Sequence, residues 1–407
     1  MKKSIFMIIL SVISLLTYAE GYQVNVQSQK NTAMGHTGTA LLLGSSSVHF
    51  NPGALSLMDK DYDFSFGGTL VYSQASYAKS NSDYQATTDN PVGTPFYLYG
   101  AKKIGEKSVI SIGVTTPYGN SLAWDDDWSG RYLIQNISLK AIVVQPTYSY
   151  KISDKLGVGL GAMLVFGSVN LNKALPIESA QGEGSAELDG STTSFGFNAG
   201  IYYQASEALS FGLNYRSKVK MEMVSGDASF ETPSALAAYF PADNTFDAEL
   251  PLPANLTFGL GYHLNEKWTL AADFQYVFWS AYEELVFDFE KNTDLLADSY
   301  NPRGYENTLI YRIGAEFNQS DKLALRAGAY YDQTPISDNL LNPETPGMNK
   351  IGLSFGGTYM LSEKLALDVS LLYIKGLERE ASYSPANFSG TYNTTAVLPG
   401  LGLSYTF

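Results

Sequence analysis

Hydrophobic and polar side chains alternate along much of this chain with a period of two residues. In residues 267–281 one face is apolar or aromatic and the other is small or polar; the apolar face is Trp268, Leu270, Ala272, Phe274, Tyr276 and Phe278. The same alternation recurs in residues 155–170 and 364–376. A soluble strand usually has about five or six residues, so alternation over about ten or more is typical of tilted strands that cross a membrane in a β-barrel.

Short polar turns join these strands in pairs and give an independent strand count. Small polar residues followed by an acid suit tight turns, because their side chains can bond the local backbone. Six such turns occur, at Gly105–Ser108, Ser153–Leu156, Ser206–Leu209, Asn265–Trp268, Ser320–Leu323 and Ser362–Leu365. They join twelve strands, and one further strand at each end makes fourteen. An even number, with short turns at one end and long loops at the other, predicts an all-β fold, a 14-stranded antiparallel transmembrane β-barrel.

The predicted strands account for most of the chain. They are residues 62–72, 95–104, 108–116, 136–151, 155–170, 193–204, 207–220, 254–264, 267–281, 305–318, 321–333, 349–361, 364–376 and 392–407.

The residues before the first strand divide into two segments. Lys2 and Lys3 precede an apolar run from Ile5 to Leu16, and small residues follow at Thr17 and Ala19. This arrangement predicts a secretory signal peptide over residues 1–19. Residues 20–61 are rich in small side chains and lack long alternation. A barrel of fourteen strands is wider than its own side chains fill, so we expect residues 20–61 to form a plug, or hatch, inside the lumen of the barrel (residues 62–407).

Composition removes several classes of function. The chain has no cysteine and three scattered histidines, which argues against thiol chemistry and against a multi-histidine metal site. The net charge of -14 argues against nucleic acid as a partner. We therefore expect no metal and no cofactor.

One enzyme signature is present, but its predicted position does not suit catalysis. Residues Gly352–Gly356 match the Gly-x-Ser-x-Gly motif of serine hydrolases. That motif requires a strand-to-helix turn, whereas here it lies inside an alternating strand. We expect no catalytic residue and no enzymatic activity.

Several short motifs, in order along the chain, resemble the FadL-type outer-membrane transporters of long-chain fatty acids and other hydrophobic compounds. They are Gly35–Ala40, Asn51–Leu55, Thr116–Gly119, Trp128–Arg131, Tyr215–Lys218, Leu252–Asn255, Tyr311–Gly314, Tyr331–Pro335 and Asn342–Pro346. The chain also ends with Tyr405 and Phe407 on one strand face, which resembles the signal read by the barrel assembly machinery of the outer membrane.

The resemblance implies passive uptake through the outer membrane of a Gram-negative bacterium. Extracellular loops would capture an apolar ligand, a lumen pocket would bind it, and rearrangement of the hatch would let it leave sideways through the barrel wall. Asn51, Pro52 and Gly53 stand where the family typically has Asn-Pro-Ala in its hatch. Ser168 and Thr308 stand where the best-known member carries basic headgroup-binding residues. The resemblance therefore implies a hydrophobic substrate more firmly than a fatty acid.

Two long loops carry candidate ligand-binding residues. Thr232-Pro233-Ser234 reads as a helix start, and Thr293 as the cap of a second short helix. The predicted extracellular groove consists of Leu236, Ala237, Tyr239, Phe240, Leu295 and Leu296. The alternative is that the two loops only pack on each other.

Two further groups are predicted within the barrel. Pro117 and Gly119 flank Tyr118 at the end of the third strand, where proline and glycine should interrupt pairing. This group is either a lateral gate, as the resemblance implies, or a simple strand end.

Three arginines on polar strand faces, Arg216, Arg312 and Arg326, are candidates for binding a ligand head group. The alternative is pairing with lumen acids such as Glu316 and Asp332.

The sequence leaves four hypotheses for the function, which we rank. Uptake of long-chain fatty acids leads, followed by uptake of other apolar compounds such as aromatic hydrocarbons. A general diffusion porin and a barrel enzyme are the others. The expected partners are hydrophobic small molecules, outer-membrane lipid and lipopolysaccharide, and the barrel assembly machinery during biogenesis; we expect a monomer.

Overall fold

The computed structural model describes residues 21–179 and 182–407. The predicted signal peptide, residues 1–19, lies outside the described residues. None of the helices within the described ranges is long and apolar enough to cross a bilayer.

The described residues form twenty-one strands. In chain order they are β1 (Tyr62–Thr69), β2 (Tyr72–Lys79), β3 (Gln85–Thr87), β4 (Phe96–Lys103), β5 (Ser108–Ala123), β6 (Asn136–Ser153), β7 (Leu156–Ser179), β8 (Gly182–Gln204), β9 (Leu209–Arg216), β10 (Val219–Glu231), β11 (Asn244–Leu252), β12 (Asn255–His263), β13 (Trp268–Val277), β14 (Glu284–Phe289), β15 (Ser299–Pro302), β16 (Thr308–Ser320), β17 (Leu323–Asp332), β18 (Lys350–Met360), β19 (Leu365–Gly376), β20 (Arg379–Tyr383) and β21 (Phe388–Thr406).

Fourteen of these strands pair antiparallel in a closed ring: β1, β4–β9, β12, β13, β16–β19 and β21. The ring closes where β21 pairs with β1, with Tyr405 opposite Phe64. Closure leaves no unpaired barrel edge. The predicted all-β barrel with fourteen strands is confirmed, and each predicted strand overlaps one member of the ring.

The barrel is apolar outside and more polar inside, as the alternation predicts. In β1 the outward Phe64 and Phe66 are 43% and 53% exposed, while the inward Asp63 is 5% exposed. A water-soluble protein would bury the aromatic residues instead. Exposed aromatic and aliphatic side chains therefore form the surface that faces lipid.

Part of the region expected to be loop is strand. Residues 221–253 contain most of the β10–β11 hairpin, whose far end pairs with β8, and β14 and β15 follow residue 281. The prediction of a loop was wrong here. Met221 and Met223 do alternate with polar neighbours, and the outward Lys220 forms ion pairs with Glu222 and Glu249. A polar outward face suits a sheet that continues beyond the lipid.

The few helices are short. The segment before the barrel contains α1 (Gln29–Ala33), α2 (Ser47–Phe50) and a 3-10 helix (Ala54–Leu57). Three more 3-10 helices, Ser234–Tyr239, Trp279–Ala281 and Ser384–Ala386, lie in loops. Residues 21–61, here called the N-terminal segment, contact the inward face of strands around the ring. The segment starts near the long loops and reaches the tight-turn end, where β1 begins.

Candidate functional site in the barrel lumen

The half of the lumen nearest the long loops is filled by one continuous apolar cluster. This lumen core includes Leu139, Met163, Leu171, Met221, Met223, Phe246, Leu250, Trp279, Tyr282 and Ile310. A small cavity of about 40 Å³ lies within it, between Tyr22 and Tyr282. Concave apolar surroundings with few polar groups are typical of sites for small hydrophobic molecules.

The other half of the lumen is more polar and holds the N-terminal segment. The carboxylate of Asp273 on β13 accepts hydrogen bonds from the amides of Gly38 and Thr39, at 3.0 and 3.1 Å, and from the Thr39 hydroxyl at 2.9 Å. Gln29 donates to the Gly68 carbonyl at 3.0 Å. The segment is therefore held in part by hydrogen bonds, which can exchange with water. It is also held by small apolar clusters, such as the one that packs Val48 and Leu55 against Tyr99 of the wall.

Replacing Asp273 by alanine is expected to loosen the N-terminal segment. A hydrogen bond to a charged group contributes about 1.5–3 kcal/mol, so losing even one raises the fraction of released segment by about tenfold or more. Single-channel recording in planar bilayers should then show brief openings that the intact protein lacks. The matched control is Asp321→Ala, in an exposed tight turn. Equal opening frequencies in both variants would contradict the role of Asp273.

The Asn51-Pro52-Gly53 motif is tied to the barrel wall. The Asn51 side-chain amide donates to two main-chain carbonyls, one within the segment at 2.7 Å and one on β8 at 2.9 Å. The Ser149 hydroxyl donates to the Pro52 carbonyl at 2.6 Å. Gly200 on β8 allows this approach, because a Cβ there would lie 2.2 Å from the Asn51 Oδ1. The inward glycines of β7 and β8 thus make room for the motif.

Two of the three predicted arginines have partners in the barrel wall. Arg326 forms an ion pair with Glu316, directly opposite on β16, at 2.7 Å. It also donates to Thr358 at 2.6 Å. Arg312 donates to Gln275 and, at 3.3 Å, to Asn25 of the N-terminal segment. For Arg326 the geometry favours the structural alternative of pairing between adjacent strands.

The third arginine, Arg216, contacts the N-terminal segment. Its Nη1 lies 3.3 Å from both the Nδ1 and the carbonyl oxygen of His49. Its Nη2 lies 3.1 Å from the sulfur of Met163, a lumen-core residue. Arg216 therefore sits at the boundary between the segment and the lumen core.

The wall is irregular at Pro117, Tyr118 and Gly119. The pairing of β5 with β6 shifts register between Thr115 and Tyr118, and β4 pairs with β5 only as far as Thr115. Beyond that point residues 22–24 take the place of β4: the Val24 amide donates to the Pro117 carbonyl at 2.9 Å, and the Gly119 amide to the Tyr22 carbonyl at 3.0 Å. The start of the N-terminal segment thus covers a gap between two wall strands.

The two loops of the predicted groove are in contact. The Thr293 hydroxyl donates to the Tyr239 carbonyl at 2.7 Å. The groove residues divide by exposure. Phe240 and Leu296 are buried in the lumen core and Leu236 packs against it; Ala237, Tyr239 and Leu295 are exposed.

The helices predicted in these loops need correction. Thr293 accepts hydrogen bonds from the amides of Leu295 and Leu296, as a cap would, but no helix follows. The other predicted helix is a single 3-10 helix, Ser234–Tyr239. Each stretch is too short to pass the unfavourable nucleation of an α-helix.

The structure also bears on the hydrolase motif and on metal binding. Ser354, within Gly352–Gly356, lies on β18 and accepts a hydrogen bond from the Gly35 amide at 3.0 Å. Among the residues that the structure covers, no group of three or more histidine, aspartate or glutamate side chains is placed to hold a metal ion.

Sequence reasoning missed Asp273, Gln29 and the buried ion pair between Arg303 and Glu344. Asp273 was visible as an acid on the polar face of a strand, but nothing local marked its partner, which lies far away in the chain. Arg303 and Glu344 come from different loops, and no periodic pattern connects them.

Comparison with known proteins identifies relatives of the whole chain. A family model described as outer membrane protein transport protein (OMPP1/FadL/TodX) matches residues 10–407. Outer membrane protein P1 of Haemophilus influenzae is 26% identical, over 96% of this chain and 95% of the relative. The long-chain fatty acid transport protein of Escherichia coli K12 is 22% identical, over 100% and 98%.

Solved structures share the fold. A FadL homologue from Pseudomonas aeruginosa superposes with a TM-score of 0.85 at 17% identity, covering 95% of this chain and 100% of that one. The toluene transporter TbuX of Ralstonia pickettii gives a TM-score of 0.72 at 20% identity, covering 93% and 97%. At these identities the likeness concerns the fold alone.

Proposed function

Because the chain belongs to the OMPP1/FadL/TodX family of outer membrane transport proteins, we propose that it takes up hydrophobic molecules passively, with long-chain fatty acids as the leading class. The observation that carries this proposal is the division of the lumen. An apolar core lies toward the long loops, and beyond it a hydrogen-bonded segment fills the polar half. An apolar ligand that enters from the loops is stabilised by the apolar side chains of the lumen core, whereas a polar solute would lose its hydration there.

The route we propose has four steps. The exposed Tyr239 and Leu295 at the mouth first contact the ligand, which then moves into the lumen core beside the buried Phe240 and Leu296. Movement of residues 22–24 away from Pro117–Gly119 uncovers the gap in the wall. The ligand leaves through this lateral gate into the outer leaflet, and no energy source is needed. Two observations support the last step: the register shift in β5, and the main-chain hydrogen bonds through which residues 22–24, rather than β4, cover that part of β5.

Aromatic hydrocarbons are the second candidate class. The lumen core contains many rings, among them Tyr22, which lies edge-on to Trp279 at 5.1 Å between ring centroids. Such surroundings suit a small aromatic ligand. A relative named as a fatty acid transporter and a neighbouring fold named as a toluene transporter leave both classes open.

Uptake into cells distinguishes these functions. A Gram-negative host that lacks its own transporter should gain growth on oleate and uptake of radiolabelled oleate when it expresses the chain. Uptake of a small polar sugar should stay at background. Toluene uptake without oleate uptake would favour the second class, and sugar uptake without either would indicate a diffusion porin. Contacts with lipopolysaccharide, recognition by the assembly machinery and the monomeric state stay predictions.

A further inference from the structure

Arg216 is a buried cation with no carboxylate partner among the described residues. It is 7% exposed, and in the described part of the chain it forms no ion pair, whereas Arg326 and Arg303 each have an acid. Its polar partners are the nitrogen and carbonyl oxygen of His49. Burying a charge costs much free energy unless it is paired, so the lack of an acid at this position calls for a functional explanation.

The partner that Arg216 does have is a weak one. Burial, and then the nearby Arg216, hold the pKa of the His49 imidazole well below its usual value. The imidazole therefore stays neutral, and its Nδ1 can accept a hydrogen bond from the guanidinium. Both contacts are long, at 3.3 Å. A carboxylate would bind the same guanidinium more strongly, through two shorter charge-assisted hydrogen bonds.

The side of Arg216 that faces the lumen core is adaptable. Met163 lies against the guanidinium, and Met221 and Met223 belong to the same cluster. Gly196 leaves room for this arrangement, because a Cβ there would lie 2.7 Å from the Met163 methyl carbon. Unbranched methionine side chains repack easily around different ligands. A chain entering the lumen core can therefore reach Arg216 by moving Met163.

Arg216 also belongs to a row of three polar side chains on neighbouring strands. This row connects the N-terminal segment to the wall at Pro117–Gly119. Asn198 and Asn255 lie directly opposite it on the two neighbouring strands. Asn198 donates to the His49 carbonyl at 3.3 Å. Asn255 accepts a hydrogen bond from Gln23 at 3.1 Å and donates to the Tyr118 hydroxyl at 3.4 Å. One row of side chains thus contacts the N-terminal segment at two places, Gln23 near its start and His49 in α2.

We propose that Arg216 is an exchange site, at which the anionic head group of an amphiphile entering from the lumen core displaces His49 and so releases the N-terminal segment. This inference rests on the proposed function and deepens it, since it separates binding from opening. A neutral apolar ligand occupies the lumen core and leaves the contact between Arg216 and His49 intact. A carboxylate ligand binds, replaces His49 and loosens the segment.

The first test compares oleate with methyl oleate, which has the same chain without the charge. Binding of each ligand is measured by its displacement of the neutral fluorescent probe N-phenylnaphthylamine from purified protein, in detergent at neutral pH. Because a hydrogen bond to a charged group is stronger than one between neutral groups, oleate is expected to bind at least about tenfold more tightly. Arg216→Gln should bring the ratio close to one, and Arg216→Lys should give an intermediate ratio. His49→Ala removes the competing partner and should strengthen the binding of oleate alone.

The matched control is Arg326→Gln, a buried lumen arginine that already has Glu316 as its partner. It should leave the preference for oleate in place. Heat-modifiable electrophoresis reports whether each variant folds. If Arg216→Gln does not fold, Arg216→Lys and His49→Ala still decide the question. An undiminished preference in Arg216→Lys together with unchanged oleate binding in His49→Ala would overturn the proposal.

The second test measures release of the segment directly. The chain has no cysteine, so Ser47→Cys, at a position 2% exposed beside His49, introduces one buried thiol. Oleate should accelerate its labelling by a polar maleimide, methyl oleate should not, and adding Arg216→Gln should make labelling fast without ligand. Equal acceleration by oleate and methyl oleate would overturn the exchange mechanism and leave the transport proposal standing. Failure of both ligands to displace the probe would instead refute the transport proposal itself.

Discussion

Removal of residues 20–56 is expected to convert a closed barrel into a conducting one. Residues 21–56 of this stretch occupy the more polar half of the lumen and contribute Tyr22 to the lumen core. Because β1 begins only at Tyr62, the deletion leaves the ring of strand pairs intact. A barrel of this strand number is wider than its own side chains fill, and conductance in planar bilayers should rise at least about tenfold. The measurement is single-channel conductance of the purified variant, after heat-modifiable electrophoresis has shown that the barrel folds.

A pair of single substitutions controls for the size of that deletion. Gly200→Ala places a methyl group 2.2 Å from the Asn51 side-chain oxygen, whereas a Cβ at Gly68 meets only a carbonyl oxygen at 3.6 Å. The first should raise conductance moderately and Gly68→Ala should not. Unchanged conductance after the full deletion would mean that the lumen core, rather than the N-terminal segment, closes the barrel.

Deletion of Pro117 alone is expected to abolish transport while preserving ligand binding. Between Thr115 and Tyr118 two residues of β5 stand opposite one residue of β6, which is the geometry of a β-bulge. Removing one residue restores regular pairing and lets β4 and β5 continue side by side, which closes the gap. Oleate uptake by cells should fall to the background of cells without the protein, and displacement of N-phenylnaphthylamine by oleate should be unchanged.

A second bulge in the same barrel provides the control. The pairing of β16 with β17 shifts register between Asn318 and Ser320, next to a tight turn. Deletion of Gln319 removes that irregularity in the same way, but far from residues 22–24. Uptake should persist in this variant. Normal uptake after deletion of Pro117 would show that the ligand leaves by another path.

The candidate site was only partly predictable from the sequence. Asn51-Pro52-Gly53 and Pro117-Tyr118-Gly119 are short motifs that break the local alternation, and the structure places both groups against the wall or in it. Arg216, Arg312 and Arg326 were equivalent in the sequence, since each occupies a polar strand position. What distinguishes them is the neighbouring strand or segment: Glu316 for Arg326, and His49 for Arg216. Those neighbours depend on strand register and on the path of a segment without alternation.

The long loop region between the seventh and eighth barrel strands was also only partly predictable from the sequence. Residues 221–253 contain the alternation of a hairpin, but its outward positions are polar, so the pattern that marks lipid-facing strands is missing there. Pairing with β8 and β14 makes this stretch a sheet beyond the lipid.

The sequence by itself determined the barrel, its fourteen strands and the face that each turns to lipid. These follow from a period of two residues and from tight turns, and both are local properties that each strand carries independently of its neighbours. Only the tertiary structure decided which polar groups meet inside the lumen and where residues 22–24 cover the wall. It also decided that Arg326 pairs with an acid whereas Arg216 contacts His49. Those outcomes depend on contacts between separate strands and segments, such as His49 with Arg216 and residues 22–24 with Pro117–Gly119, which no local pattern encodes.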